Sequence, residues 1–271
     1  MTFINLTDEE LKSFATAKNT EYLAADPFPN IYFDNFFIPE RLKEVLEEFP
    51  DLTKKADIKF DDPNQVKLAS KGEYRFGQKT KDFMHYLNSQ PFLDFLTLLT
   101  GIEDLIPDPT FDGGGCHQIQ PGGMLKIHAD FNKHPKTKLD RRLNVLIYLN
   151  EDWKEEYGGH FELWDKEMKG SRKKILPLFN RMAMFSTTSD SYHGHPNRLT
   201  CPPDRTRKSL ALYYYTNGRP EAEIVSGDAE HSTIFKYRKQ DSGSRFKTTM
   251  KETIRLITPP ILLKGLQKLK G

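Results

Sequence analysis

The sequence predicts a mainly β fold with flanking helices, built as a sandwich, barrel or jelly roll. Three observations predict it. From residue 110 onward, short apolar runs alternate with glycine turns, GGG at 113–115 and PGG at 121–123. Before residue 110 the apolar spacing is largely helical. The chain of 271 residues, 37% hydrophobic and 12% aromatic, is long and apolar enough for a sizeable core. It divides into a helical and strand support region over 1–109, a β core over 110–220, and a basic, largely helical extension over 221–271.

The elements follow in order. Thr7 precedes DEELKSF and caps a helix over 7–17, with Asp8, Glu9 and Glu10 in its first turn. The aromatic run NIYFDNFF at 30–37 reads as a strand. Over 39–49, Leu42, Val45, Leu46 and Phe49 fall at i, i+3, i+4 and i+7, one inward helical face. Residues 51–78 are charged and irregular, a loop placed near the site. PFLDFLTLLT at 91–100 is a buried helix, and these helices cover one face of the β core. Strands follow at 124–129, 143–150, 159–164, 173–177, 182–186 and 209–216, a number of short strands that suits a closed or two-layered β architecture. Residues 247–270 read as two helices broken at Pro259-Pro260.

The run KIHADFN carries the most informative residues. His128 and Asp130 are two apart, so on a strand both point to one face and can grip one metal ion. His193, in SYHGHPNRL, supplies a third ligand from a distant strand. Two imidazoles and a carboxylate form the facial set that binds non-haem Fe(II) and leaves positions open. His195 rivals His193, because HGHP offers both. Zinc also accepts two histidines and a carboxylate with one open position. Arg207 opens the apolar run RKSLALYYYT, and a buried guanidinium requires an anionic partner, either a ligand carboxylate or a structural Asp or Glu.

Six segments, HADFN, RRLNVLIYLN, GGHFELW, LFNRMAMFSTT, YHGHP and RKSLALYYYT, resemble in order the iron(II)- and 2-oxoglutarate-dependent oxygenases, and most nearly their prolyl-4-hydroxylase-like branch. The resemblance spans roughly 112–216 and implies a double-stranded β-helix, the jelly-roll core. It implies His128, Asp130 and His193 as iron ligands and Arg207 as partner of the distal carboxylate of 2-oxoglutarate. It places Tyr148 against the same carboxylate and Ser209 in an R-x-S pattern that assists it. It implies a dioxygenase that takes Fe(II), 2-oxoglutarate and O2 and hydroxylates a C–H bond, with succinate and CO2 as products. Many prolyl hydroxylases carry lysine where this chain has Arg207, a departure that weighs against a prolyl substrate. A small metabolite, an amino acid, a peptide and a carrier-bound intermediate remain open as substrates. The intact carboxylate at Asp130 favours hydroxylation over halogenation. A metal-binding jelly roll acting as a sensor without catalysis is the alternative.

Other residues read more plainly. Arg141 and Arg142 open the LNVLIYLN strand and suit structural ion pairs. Asn144 shares a strand face with Tyr148 and is a candidate for the second carboxylate of the co-substrate. Two cysteines, Cys116 and Cys201, are too few for a disulfide scaffold, and neither a signal peptide nor an apolar run of about 20 residues is evident, which points to a cytoplasmic enzyme. No nucleic-acid motif stands out. From Lys236 to Gly271 there are ten basic and two acidic residues, a net of +8 against −6 for the remainder. This basic tail is a candidate contact for an anionic partner or membrane surface. Since the motifs finish near Thr216, it is expected to be dispensable for the chemistry.

Overall fold

A computed structural model describes residues 2–224, 229–241 and 243. Its elements run α1 (Asp8–Leu23), β1 (Asn30–Asp34), α2 (Pro39–Glu47), β2 (Ile58–Asp61), β3 (Gln65–Ala69), α3 (Gln78–Leu87), α4 (Gln90–Thr100), β4 (Ile106–Pro107), β5 (Gly115–Ile119), β6 (Met124–Ala129) and β7 (Asp140–Tyr148). They continue through β8 (Phe161–Trp164), β9 (Ser171–Ile175), β10 (Arg181–Ser186), β11 (His193–His195), β12 (Arg207–Thr216) and β13 (Ile234–Phe235). The strands hydrogen-bond antiparallel in the order β1-β10-β7-β12-β5-β3-β6-β11-β8-β9, with β4 on β12, β2 on β3 and β13 on β6. This sheet curls into a double-stranded β-helix core with the helices on one side. Among the described residues no helix is long and apolar enough to cross a membrane.

Period-two alternation separates the core from the cavity. On β7, Leu143, Val145 and Ile147 face outward and join α1–α4 in the main hydrophobic cluster, as do Leu210, Leu212 and Tyr214 of β12. Phe83, Phe92, Phe95, Leu96 and Leu99 supply the helical half of that cluster. The alternate residues, Asn144 and Leu146 on β7 and Arg207, Ser209 and Tyr213 on β12, line the cavity inside the curl. Thr7 and Glu10 close a reciprocal capping box, which fixes where α1 begins.

One expectation is corrected. Residues 51–78 are not an irregular loop: they hold the β2–β3 hairpin and the start of α3. Strand β3 pairs with β5 (Leu68↔Gln118) and with β6 (Gln65↔Leu125), so it joins the two halves of the sheet. Its polar composition concealed it, because its pairing partners lie far along the chain and supply the stability that local sequence lacks. The start of the basic tail, expected to be dispensable for the chemistry, also packs against the strand that carries His128. Ile234 and Phe235 pair with Ala129 and His128 on β6, and Lys236 donates to Ile127 O at 2.8 Å. Lys126, Arg238 and Asp241 form a buried ionic cluster that pins this segment down. The helices expected over 247–270 lie outside the described residues.

Candidate active site

His128 on β6 and His193 on β11 are direct cross-strand partners, with ring centroids 4.4 Å apart. Asp130 follows just beyond β6, and its Oδ1 and Oδ2 lie 3.4 Å from His128 Nε2 and His193 Nε2, respectively. Among the described residues these three form a group whose potential ligand atoms lie within 4.8 Å of one another. The tautomers follow from their partners. Nδ1 of His128 faces Lys126 O at 2.8 Å, and Nδ1 of His193 faces Ser191 O at 2.9 Å. A carbonyl only accepts, so each Nδ1 carries the proton and each Nε2 offers a lone pair inward. Two lone pairs and a carboxylate converging in a buried space repel one another unless a cation lies between them. The donor set therefore fits Fe(II).

Asp130 is held as a carboxylate. Burial opposes its ionisation, but the Arg141 guanidinium beside it holds it well below the usual carboxylate range. Arg141 Nη2 lies 3.0 Å from Asp130 Oδ2, and Asn144 Nδ2 donates to the same oxygen at 2.7 Å. The Asn144 amide, expected to face a co-substrate carboxylate, donates to Asp130 in this structure. Arg141 is fixed in turn by Asn144 Oδ1 at 2.9 Å and lies over the Tyr213 ring at 3.5 Å. Arg142 forms the structural pair expected of it, with Glu223 at 2.8 Å. Burial pushes the His193 imidazole down to about 3, so it stays neutral and available as a ligand.

Arg207 begins β12 and is 5% exposed. Its Nε donates to Gly159 O at 2.9 Å, and its Nη2 approaches Tyr148 Oη at 3.5 Å, with the guanidinium 5.0 Å from the Tyr148 ring centroid. Gly159 has φ +74°, and a Cβ there would stand 3.0 Å from Arg207 Cδ, so only glycine lets the strand carry both the turn and the arginine. Among the described residues no structural Asp or Glu pairs with Arg207. Ser209 lies two residues on, facing the same cavity. Arg207, Tyr148 and Ser209 thus lie together, with Ser209 opposite Tyr148 in the β12–β7 register.

His195 does not join the metal group. It opposes Leu125, is 4% exposed, and both its ring nitrogens lack a partner among the described residues while facing the cavity. Gly194 between the histidines is required by space, since a Cβ would come within 2.8 Å of Leu125 O and Lys126 O. Lys67 of β3 also lines this cavity, a residue the sequence reading passed over inside its presumed loop. The alternating run QVKLA was the available signal.

Residues 114–215 match the family model of the 2OG-Fe(II) oxygenase superfamily. No curated protein matches the chain. Among solved structures, a Pseudomonas putida prolyl-4-hydroxylase is similar at 15% identity and a TM-score of 0.53, over 75% of this chain and 99% of that one. A Trichoplax adhaerens prolyl hydroxylase, in complex with a hypoxia inducible factor oxygen degradation domain peptide fragment, aligns at 17% identity and a TM-score of 0.56, over 76% and 91%. A Phytophthora capsici prolyl 4-hydroxylase aligns at 20% identity and 0.53, over 89% and 73%. At these identities the structural likeness establishes the fold, and the family model carries the rest. Residues 114–215 thus match the 2OG-Fe(II) oxygenase superfamily and sit within the double-stranded β-helix fold that the solved prolyl hydroxylases share.

Proposed function

We propose that this 2-oxoglutarate-dependent dioxygenase hydroxylates a C–H bond of a small metabolite, amino acid or peptide, with His128, Asp130 and His193 holding Fe(II). The observation that carries the reading is the pairing of that donor set, in one cavity, with a buried Arg207 that has no carboxylate partner among the described residues. When bound, Fe(II) and 2-oxoglutarate supply the oxidising chemistry, in which the co-substrate becomes succinate and CO2 and an oxygen atom of O2 enters the substrate.

The chain's own residues do the rest. Arg207 presents a planar fork to the distal carboxylate of the co-substrate, with Tyr148 and Ser209 completing its environment. Arg141 and Asn144 hold Asp130 charged and oriented towards the histidines. Phe161, Phe185 and Phe235 surround the histidine rings and keep water from them. The peptide bound to the Trichoplax adhaerens relative leaves a peptide among the candidates.

The test is an anaerobic Fe(II) titration with and without 2-oxoglutarate, followed by succinate formation in air. A visible charge-transfer band that needs both components is expected in the wild type and lost in Asp130→Ala. His193→Ala is expected to lose iron, whereas His195→Ala retains it. Iron bound normally by Asp130→Ala, or iron lost from His195→Ala alone, would overturn the ligand assignment. Metal binding without any succinate formation would favour the sensor alternative.

A further inference from the structure

Once the metal donors and the co-substrate anchor are assigned, two polar side chains on the cavity wall have no task. Lys67 projects from the centre of β3 into the same cavity as His128, Asp130 and Arg207. It is half-buried, its Nζ lies 4.9 Å from the Phe60 ring centroid, and no hydrogen-bond or ion-pair partner faces it among the described residues. His195 is the other, with both ring nitrogens bare. The two are close enough for the Lys67 charge to act on His195.

The charge around the cavity is unbalanced. With the histidines neutral, the Asp130 carboxylate stands against Arg141, Arg207 and Lys67. Fe(II) and the 2-oxoglutarate dianion cancel each other, so the loaded site keeps a surplus of positive charge. Arg141 is already committed to Asp130, and Arg207 to the co-substrate. Partial burial pushes the Lys67 ammonium down to about 8, which still leaves it charged at neutral pH. A buried, unpaired cation costs free energy, and a chain that keeps one at its active site gains most when an anion arrives there.

From this we infer that the substrate is an acid, and that Lys67, with His195 beside it, binds a carboxylate the substrate carries; the inference rests on the functional reading above. An ammonium and an imidazole N–H supply two donors, the number that a carboxylate's two oxygens accept. Lys67 lies on a strand whose other neighbours are structural, so it selects among substrates without touching the metal ligands.

The experiment uses the full chain loaded anaerobically with Fe(II) and 2-oxoglutarate, and 13C-labelled acetate as the smallest carboxylate probe. Paramagnetic relaxation of the acetate carboxyl carbon reads its binding near the iron. Saturable relaxation is expected in the wild type, weakened about tenfold in Lys67→Met and largely kept in Lys67→Arg, as for loss of one charge-assisted contact. The charge-transfer titration with 2-oxoglutarate is expected to be the same in all three. Lys67→Gln carries the same comparison should the methionine variant fold poorly. Equal acetate binding in wild type and Lys67→Met, or no saturable binding in the wild type, overturns the inference while leaving the functional reading intact. A 2-oxoglutarate requirement raised in Lys67→Met as in Arg207→Ala also overturns it, by assigning Lys67 to the co-substrate. No charge-transfer band in the wild type overturns the functional reading and this inference with it.

Discussion

Arg141 Nη2 and Asn144 Nδ2 converge on a single oxygen of Asp130, at 3.0 and 2.7 Å. The two donors leave the other carboxylate oxygen facing His128. Groups that orient a ligating carboxylate typically alter metal affinity by roughly 10- to 100-fold when removed. Asn144→Ala is therefore expected to weaken Fe(II) binding by about that factor while the 2-oxoglutarate requirement of the iron-loaded enzyme barely changes. Metal titration of purified variant and wild type checks it. Unchanged iron affinity would show that Arg141 alone suffices to orient Asp130.

Arg207 gives the opposite pattern. Its Nε is occupied by Gly159 O, so the side chain is preset before any ligand arrives. A bidentate charge-assisted contact contributes roughly 1.5–3 kcal/mol, about ten- to a hundredfold in affinity. Arg207→Ala is expected to raise the 2-oxoglutarate concentration needed for the charge-transfer band by about that factor, with iron affinity near wild type. Coincident co-substrate titrations would place the carboxylate elsewhere.

Much of this site was readable before the fold was known, and the reason is geometric. His128 lies on β6 with Asp130 two residues on, just past its end, and Arg207 opens an apolar strand, so period-two alternation directs them inward. The helical face of α2 was readable for the same reason at period 3.6, and α4 from its apolar composition. What escaped depends on pairing between distant segments. Lys67 sits in a polar strand whose partners are β5 and β6, and Phe235 faces His128 from a two-residue strand with no sequence signature. Asn144 was placed on the correct face but its bond to Asp130 was not foreseen, because alternation fixes a direction and not a neighbour.

Burial keeps His193 and His195 neutral, the first pushed down to about 3 and the second also well below its ordinary value. In the unfolded chain both titrate near 6.5. Below that pH the unfolded state binds protons that the folded state refuses, so stability falls as pH drops from about 6.5 towards 3. His193 contributes about 1.4 kcal/mol per pH unit within that window, and His195 acts in the same direction. Urea unfolding of the metal-free protein at several pH values checks it. His195→Gln is expected to make the dependence shallower by about one proton, and an identical slope in the variant would mean that His195 is protonated in the folded state.

The packing of residues 229–241 leads to the last prediction, which reverses the expectation drawn from the motifs alone. Phe235 lies opposite His128 in the β13–β6 register, with ring centroids 5.6 Å apart. Arg238 reaches Asn197 Oδ1 at 2.9 Å and Pro196 O at 3.2 Å, and so ties the segment to the loop after His195. Lys126, 7% exposed on the strand that carries His128, is paired with Asp241. Breaking a buried ion pair by removing one partner costs roughly 3–5 kcal/mol. A chain ending at Gly227 is therefore expected to bind Fe(II) weakly and to form little succinate. A chain ending at Gly243 keeps β13 and Asp241 and is expected to match the full-length enzyme in both. The comparison separates the 229–241 segment, a wall of the site, from the basic stretch beyond it. Normal iron affinity in the shorter chain would show that β6 holds its histidine without β13.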